Sequence, residues 1–230
     1  MLKFQIEGLY KRFGGSSQFK NFISLFEIAL YLLSFVSFIY LIVFGPRIKT
    51  IKCLIIIFLL LGYRFIPSFF NINLHDILKL SVLIFIFMSM FLAEILNFYT
   101  KIPFYDKILH LISGIMLFFL GQALYKRIES KQNEFQTNTT IMVLFSMFFS
   151  IAMAGCWEIF EFSCDRIFGY HLQLDSLFDT MGDIICGTTT AVLTAIFVLS
   201  SYRAKKVNIA DSHLVDEIRD DYSEMVSVKD

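Results

Sequence analysis

Ionisable side chains recur at helical spacing in the second half of this 230-residue sequence, inside runs that are otherwise apolar. Three pairs stand out: Asp106 with His110, Glu158 with Glu161, and Asp179 with Asp183. Separations of three or four residues place both members of a pair on one face of an α-helix. Several carboxylates around one imidazole suit a hard or borderline divalent metal, or a proton relay. These six residues are therefore the candidates for the chemistry of the protein.

The predicted roles divide these residues between acid–base chemistry and ligand binding. Acid–base catalysis is assigned to His110, Glu158 and Asp183. Ligand binding is assigned to Asp106, Glu161 and Asp179. As a hypothesis, a divalent metal would be bound by His110, Glu158, Glu161, Asp179 and Asp183. The sequence identifies no other cofactor.

The charges in this part of the chain do not balance. The nearest cations, Lys107 and Arg166, are too few to pair with all the carboxylates. Ionising every carboxylate in a partly dry site is unfavourable because the negative charges repel one another. Some acids must therefore hold protons or share a bound cation. The plainer alternative for Asp106 and Asp179 is that each is a helix N-cap, because helix starts favour Asp.

The remaining candidates also have plainer explanations. His110 could donate a hydrogen bond between helices, as polar residues in membrane helices often do. Glu158 and Glu161 follow Trp157, so they could reach the polar interface where tryptophan is common. Asp183 is the strongest single candidate, because it lies about one turn inside an apolar run.

The composition indicates what kind of element positions these residues. Hydrophobic residues make up 57% of the sequence and charged residues 17%, with a mean hydropathy of +0.67. An ordinary soluble domain is about 45–50% apolar and about 25% charged. A membrane-spanning helix needs roughly 20 apolar residues, and the apolar runs of this order are 23–44, 51–70, 77–96, 105–125, 140–162 and 178–199. We therefore expect an all-α, multi-pass protein with six transmembrane helices surrounded by membrane lipids.

The distribution of Lys and Arg predicts the orientation of these helices. Basic residues are more frequent before the first run, between the fourth and fifth, and after the last than in the other loops. Both termini are therefore expected in the cytoplasm, with the protein in the plasma membrane. Because successive helices alternate in direction, the third and fifth runs end, and the fourth and sixth begin, in the extracytoplasmic half. All six candidate residues are expected at that level.

The rest of the sequence restricts the domains and the partners. Residues 1–22 are predicted to be a cytoplasmic leader rather than a cleaved signal peptide, 23–200 the transmembrane domain, and 201–230 an acidic cytoplasmic tail. A formal net charge of zero gives no support for nucleic acid as a partner, and protein partners are not indicated. The four cysteines show no metal-binding spacing and are predicted to be packing residues.

The first two runs show nothing beyond generic apolar spans. Arg64, near the cytoplasmic end of the second, is expected to extend its charge toward the polar interface. In the later runs, small residues are expected to let helices approach closely; these are Gly114, Gly121, Gly182 and Gly187.

Short motifs in the last three runs resemble those of known membrane proteins. VanZ-like proteins open one helix with DKxxH, and residues 106–110 (DKILH) resemble that opening. Bacterial YjdF-like proteins, a family of unknown function, contain the motifs E-x-x-E-W and W-D-x-x-x-D. Residues 157–162 (WEIFEF) and 178–183 (FDTMGD) are similar to these, with Phe162 and Phe178 at the tryptophan positions. The resemblance covers roughly residues 94–199 and implies a multi-helix plasma-membrane protein without an established reaction.

Three classes of function remain open at this stage. The first is an enzyme acting through metal or acid–base chemistry on a lipid or lipid-linked substrate. The second is a transporter in which the carboxylates relay protons or cations. The third is a non-catalytic accessory protein whose acidic cluster stabilises the bundle. The sequence contains no GxSxG motif or phosphate-binding loop, so no nucleophile is identified.

Overall fold

The computed structural model describes residues 17–129, 138–169, 173 and 176–227, with side chains as far as residue 204. Helices and short connections account for these ranges, and no strand occurs within them. Most of the predicted leader, up to residue 16, lies outside the described residues. The same holds for the side chains of nearly all of the predicted tail.

Six helices are long and apolar enough to cross a membrane. The α-helices are α1 (Ser17–Phe44), α2 (Arg47–Phe69), α3 (Asp76–Ile86), α4 (Phe98–Lys101), α5 (Tyr105–Glu129), α6 (Thr139–Phe168) and α7 (Leu177–Ser227). A π-helical segment, Phe87–Ile95, continues α3, and only the four-residue α4 is too short to span. The expected all-α architecture with six spans is confirmed. Since α1 begins inside the predicted leader and α7 continues through the predicted tail, the division into leader, membrane domain and tail stays a prediction.

Both ends of α6 are fixed by local signals in the sequence. At the start, the Asn138 side chain accepts hydrogen bonds from the backbone N–H groups of Thr140 (3.0 Å) and Ile141 (3.2 Å). At the other end, Gly169 adopts the left-handed conformation (φ 69°) that commonly terminates a helix. These two caps set the length of α6 and hence the level at which its acidic residues lie.

Helices α5, α6 and α7 pack against one another as a three-helix bundle. Away from the acidic residues, its core is mostly apolar: Phe118 is fully buried and packs with Val143, Ala195 and Val198. The buried Ser146 hydroxyl donates to the Met142 carbonyl oxygen of its own helix. Because bulky apolar side chains fill this half of the bundle, any polar site must lie toward the opposite end.

A close approach between α5 and α7 occurs at Gly114, as expected from the sequence. A Cβ atom at this position would overlap the carbonyl oxygen of Gly187 and the hydroxyl of Thr190. On the side facing α6, the buried Ser150 hydroxyl donates a 2.8 Å hydrogen bond to the Gly114 carbonyl oxygen. Only glycine at this position lets α5 contact both neighbouring helices at this depth.

The first three helices form a second apolar cluster, centred on the fully buried Leu60 and Leu83. The π-helical continuation of α3 connects this part of the protein to the three-helix bundle. There, the Tyr105 hydroxyl donates to the Met88 carbonyl oxygen at 3.1 Å. A π-helical segment alters the regular backbone hydrogen bonding, and this bond holds the first residue of α5 in place.

The outer faces of the helices carry many exposed large apolar side chains, among them Phe22, Leu32, Phe58, Phe148 and Phe197. In water, so large an apolar surface would favour association. In a bilayer it contacts lipid chains, in agreement with the six spans.

Candidate functional site

The candidate site lies at the end of the three-helix bundle where α5 and α7 begin and α6 ends. His110 comes from the second turn of α5, Glu158 from α6 and Asp183 from α7. These three side chains are buried, with 7%, 3% and 1% of their surface exposed. Asp106, one turn before His110, is partly exposed, so the site is accessible from that end.

The geometry of the site is centred on the His110 imidazole. Its Nε2 atom lies 3.8 Å from Asp106 Oδ1, 3.7 Å from Glu158 Oε1 and 3.8 Å from Asp183 Oδ1. These distances exceed those of direct hydrogen bonds, which are about 2.7–3.2 Å. Among the described residues, Glu158 Oε1 and Asp183 Oδ1 are buried without a hydrogen-bond donor. Three carboxylate oxygens thus lie around one imidazole nitrogen, each just beyond direct hydrogen-bond distance.

Lys107 connects the site to α7. Its Nζ atom donates to Asp179 Oδ1 at 2.6 Å, to Asp183 Oδ2 at 2.8 Å and to the Asp179 carbonyl oxygen at 3.2 Å. The two oxygens of Asp183 therefore have different surroundings, one bonded to the lysine and the other directed toward His110. From the sequence, Lys107 was predicted only to be a nearby positive charge, and its bridging position was not predicted.

Gln173 is a second residue that sequence reasoning missed. Its side-chain amide donates to the Glu158 carbonyl oxygen at 3.1 Å and approaches Glu158 Oε2 at 3.4 Å. Its backbone N–H donates to Asp165 Oδ2 at 3.0 Å. Glu158 is thus held through one carboxylate oxygen, while the other faces the histidine. A glutamine in the connection between two helices carries no pattern that would have marked it.

The six predicted residues separate into two groups. Asp106, His110, Glu158 and Asp183 converge around the imidazole, as described above. Asp179 lies behind Lys107, to which its Oδ1 atom is bonded, and the Glu161 carboxylate accepts a 2.9 Å hydrogen bond from the Trp157 indole on its own helix. The roles assigned to all six residues stay predictions.

Two further acids pair with cations in the first half of the chain. Glu94, at the end of the π-helical segment, forms an ion pair with Lys52 of α2. Glu27 of α1 is buried and accepts a 3.0 Å hydrogen bond from Arg64 of α2. The interpretation of the first two spans as generic was wrong at this point, because Glu27 is a buried acid within an otherwise apolar run. The Arg64 side chain stays 63% exposed while bonded to Glu27, and its extension to the polar interface stays a prediction.

Comparison with known proteins identifies the family. The model of a family described as "Predicted membrane protein (DUF2238)" matches residues 25–204, which includes most of the chain. The chain belongs to this family. The match supports a membrane-protein family and does not extend to the YjdF-like or VanZ-like names. It spans His110 and all three acidic residues around its imidazole.

A relative from Thermotoga maritima, described as an uncharacterized protein, is 31% identical over 100 residues. The aligned part is 44% of this chain and 50% of the relative, so the chain spans about half the length of the curated relative it matches. No solved structure matches the chain.

The charge at the site explains what this arrangement can do chemically. Four carboxylates lie with one lysine and one histidine in the contacts described above. With a neutral histidine, four negative charges and one positive charge leave a formal charge of −3. Burying so much unbalanced charge is costly, so a bound cation or extra protons must compensate it. The site can therefore bind a cation or exchange protons.

Proposed function

We propose that this protein is a membrane-embedded enzyme that acts on a lipid or lipid-linked substrate with a bound divalent cation. The cation is bound by Asp106, His110 and Asp183, and Glu158 serves as the acid–base group. The observation that carries this proposal is the pair of buried carboxylate oxygens, on Glu158 and Asp183, that face the imidazole without a donor. A buried acceptor left without a partner costs about 1–3 kcal/mol, and more when it is charged.

The spacing of the ligand atoms supports a metal ion. One nitrogen or oxygen atom from each of Asp106, His110 and Asp183 lies within 4.8 Å of the other two. Around a tetrahedral ion with ligand distances of about 2.0–2.1 Å, neighbouring ligand atoms are roughly 3.3–3.4 Å apart. The distances of 3.8 Å from the imidazole to the two aspartates need to shorten by only about 0.4 Å. One imidazole with carboxylates favours a hard or borderline ion such as Mn²⁺ or Zn²⁺, and three protein ligands leave a coordination position for water or substrate.

The surroundings of the site support a lipid substrate. Phe104, Leu177 and Phe178 lie beside the starts of α5 and α7, and each is more than three-quarters exposed. Apolar side chains at this level can contact acyl or isoprenoid chains while a polar headgroup reaches the carboxylates. The positive-inside pattern supports an orientation with this end outside the cytoplasm, and the proposal therefore assigns the substrate to the outer leaflet of the plasma membrane.

The apolar half of the bundle argues against transport through the site. Beneath the carboxylates, Phe118 is fully buried and packs with Val143 and Val198. A proton or cation path across the membrane needs polar groups or water along its length. Bulky apolar packing in line with the site favours chemistry at one surface.

The first test is metal content in the purified protein without a histidine tag. We expect about one divalent ion per chain by elemental mass spectrometry, with loss of that ion in His110→Ala and Asp183→Asn. His75→Ala is the matched control, because His75 lies at the start of α3, where its Nδ1 atom accepts from the Ile77 backbone N–H. The proposal is wrong if His110→Ala retains as much metal as His75→Ala.

Metal binding can also be followed through the single tryptophan of the sequence, Trp157, which is adjacent to Glu158. Titrating Mn²⁺ or Zn²⁺ into the metal-free protein should change its fluorescence with saturation, and Asp183→Asn should abolish the change. For activity, membrane lipid extracts incubated with wild-type protein or Asp183→Asn can be compared by mass spectrometry. A product that forms equally with both proteins would contradict the enzyme assignment.

An accessory role is a second candidate, favoured by the bridging position of Lys107. Its bonds to Asp179 and Asp183 join α5 to α7 independently of any metal. If the cluster is purely structural, Asp183→Asn lowers thermal stability without affecting metal content, fluorescence or lipid conversion. The same set of variants therefore separates the two functions.

A further inference from the structure

A pocket of about 350 Å³ lies at the opposite end of the protein from the candidate site. It is formed where α1 begins, α2 ends and α3 begins, and its lining includes Lys20, Glu27, Arg64, Asp76 and Lys79. The site around His110 lies where the π-helical continuation of α3 ends and α5 begins, so the helix directions place the two at opposite membrane surfaces.

The pocket contains more positive than negative charge. Glu27 is paired with Arg64 at 3.0 Å, and Asp76 with Lys79 at 3.3 Å. Lys20, an exposed residue on α1, therefore leaves one positive charge in excess. The Arg64 guanidinium carries five N–H donors, and with its side chain 63% exposed it can bond to a ligand as well as to Glu27.

The lining of the pocket combines these charges with apolar surface. Ile23, Pro67 and Leu74 line the same space, and exposed apolar side chains such as Phe22 and Ile66 occur beside them in sequence. A soluble anion would contact only the charged part of this lining. A phospholipid would contact both parts, because its phosphate is joined to glycerol and acyl groups. Lysine and arginine near the end of a membrane helix are well placed for a lipid phosphate.

We propose that this pocket binds the phosphate group of an anionic phospholipid in the leaflet opposite the candidate site. Lys20 and Arg64 contact the phosphate, and Ile23, Pro67 and Leu74 contact the adjoining apolar part of the lipid. This lipid site is independent of the proposed enzyme function, because it shares no residue with the site on α5, α6 and α7.

The test is a lipid titration of the full-length protein in detergent, followed by native mass spectrometry. Removing one lysine beside a lipid phosphate should weaken phosphatidylglycerol binding about five-fold, so Lys20→Gln is the primary variant. Because Lys20 is exposed, its replacement should not prevent folding. Lys126→Gln is the matched control: Lys126 is an exposed lysine at the end of α5, at the same membrane surface but outside the pocket lining.

The expected result is a five-fold loss in Lys20→Gln, a larger loss in the Lys20→Gln/Lys79→Gln double variant, and unchanged binding in Lys126→Gln. Phosphatidylcholine should bind wild-type protein more weakly than phosphatidylglycerol does. Equal losses in Lys20→Gln and Lys126→Gln would show general attraction to the surface and overturn the proposal. If inorganic phosphate at the same concentration displaces the lipid or stabilises the protein equally well, the assignment to a lipid is wrong.

Discussion

Replacing Gly114 by alanine should separate α5 from α7 and destabilise the protein. The added Cβ atom would overlap the Gly187 carbonyl oxygen and the Thr190 hydroxyl. Since the first of these is a backbone atom, it cannot rotate away, and normal carbon–oxygen contact requires the helices to move apart by about 1 Å. Overpacking of this kind costs about 1–3 kcal/mol.

Two other contributions modify this cost. Replacing glycine by alanine within a helix is favourable by about 1 kcal/mol. Weakening the buried hydrogen bond from Ser150 to the Gly114 carbonyl oxygen opposes that gain by about 1 kcal/mol. The net loss is about 2 kcal/mol if the overpacking cost lies in the middle of its range. For a protein of this size, such a loss lowers the melting temperature by about 4–8 °C.

Thermal unfolding of the purified protein in detergent measures this difference. Gly155→Ala is the matched control, because nothing lies within 4 Å of a Cβ atom added at Gly155. It should leave the melting temperature unchanged or raise it by a few degrees. Equal melting temperatures for Gly114→Ala and Gly155→Ala would refute the reasoning. Gly114→Ala should also weaken metal binding. His110 lies one turn before Gly114, so it moves with α5 when that helix is pushed away from α7.

Three other variants test single hydrogen bonds of the bundle. Ser150→Ala removes a buried donor between α5 and α6 and should reduce the free energy of unfolding by about 1 kcal/mol, measured by the same melting experiment. Tyr105→Phe removes the bond to the Met88 carbonyl and should cost a similar amount, about 1 kcal/mol, in the same experiment; an unchanged melting temperature would show that other contacts alone hold α5. Gln173→Ala frees the carboxylate of Glu158, the proposed acid–base group, and should slow lipid conversion by about 10-fold or more while the metal affinity in the fluorescence titration stays unchanged; conversion at the wild-type rate would show that this amide does not position the acid.

The six spans could be predicted because the signal is local. A run of about 20 apolar residues has few alternatives to a membrane helix, and alternation of direction then places the ends of distant helices at one level. Asp106, Glu158 and Asp183 were assigned to the same site by this argument alone. The argument placed Glu161 and Asp179 at that level as well, and it did not distinguish them from the three acids that face His110 in the structure.

The contacts within the site could not be predicted in the same way. Glu158 and Glu161 are three residues apart, so they point in directions that differ by roughly 60° around the helix. Which of them faces the bundle depends on the rotation of α6, and this is set by packing against α5 and α7. The rotation of α5 was equally unknown, so the bridging position of Lys107 could not be predicted. Its long side chain reaches residues more than 70 positions away.

The pair formed by Glu27 and Arg64 was missed for a different reason. One acid barely changes the mean hydropathy of an apolar run, so the sequence pattern did not mark Glu27 as a candidate. Its partner lies on the next helix, 37 positions away. Pairing between neighbouring helices depends on where each one starts and how it is rotated, and hydropathy alone gives neither.

The bridge from Lys107 to Asp179 and Asp183 has a consequence for biogenesis. Helix α5 is synthesised well before α7, so the lysine enters the bilayer before either of its partners exists. A charged residue at the centre of a lone helix costs about 2.5–3.5 kcal/mol in translocon insertion, less near the interface. Lys107, however, lies in the first turn of α5, so its long side chain can extend to the polar interface until α7 has been made. Helix α5 can therefore insert alone, and the ion pairs couple the packing of this early segment, rather than its insertion, to completion of the whole bundle.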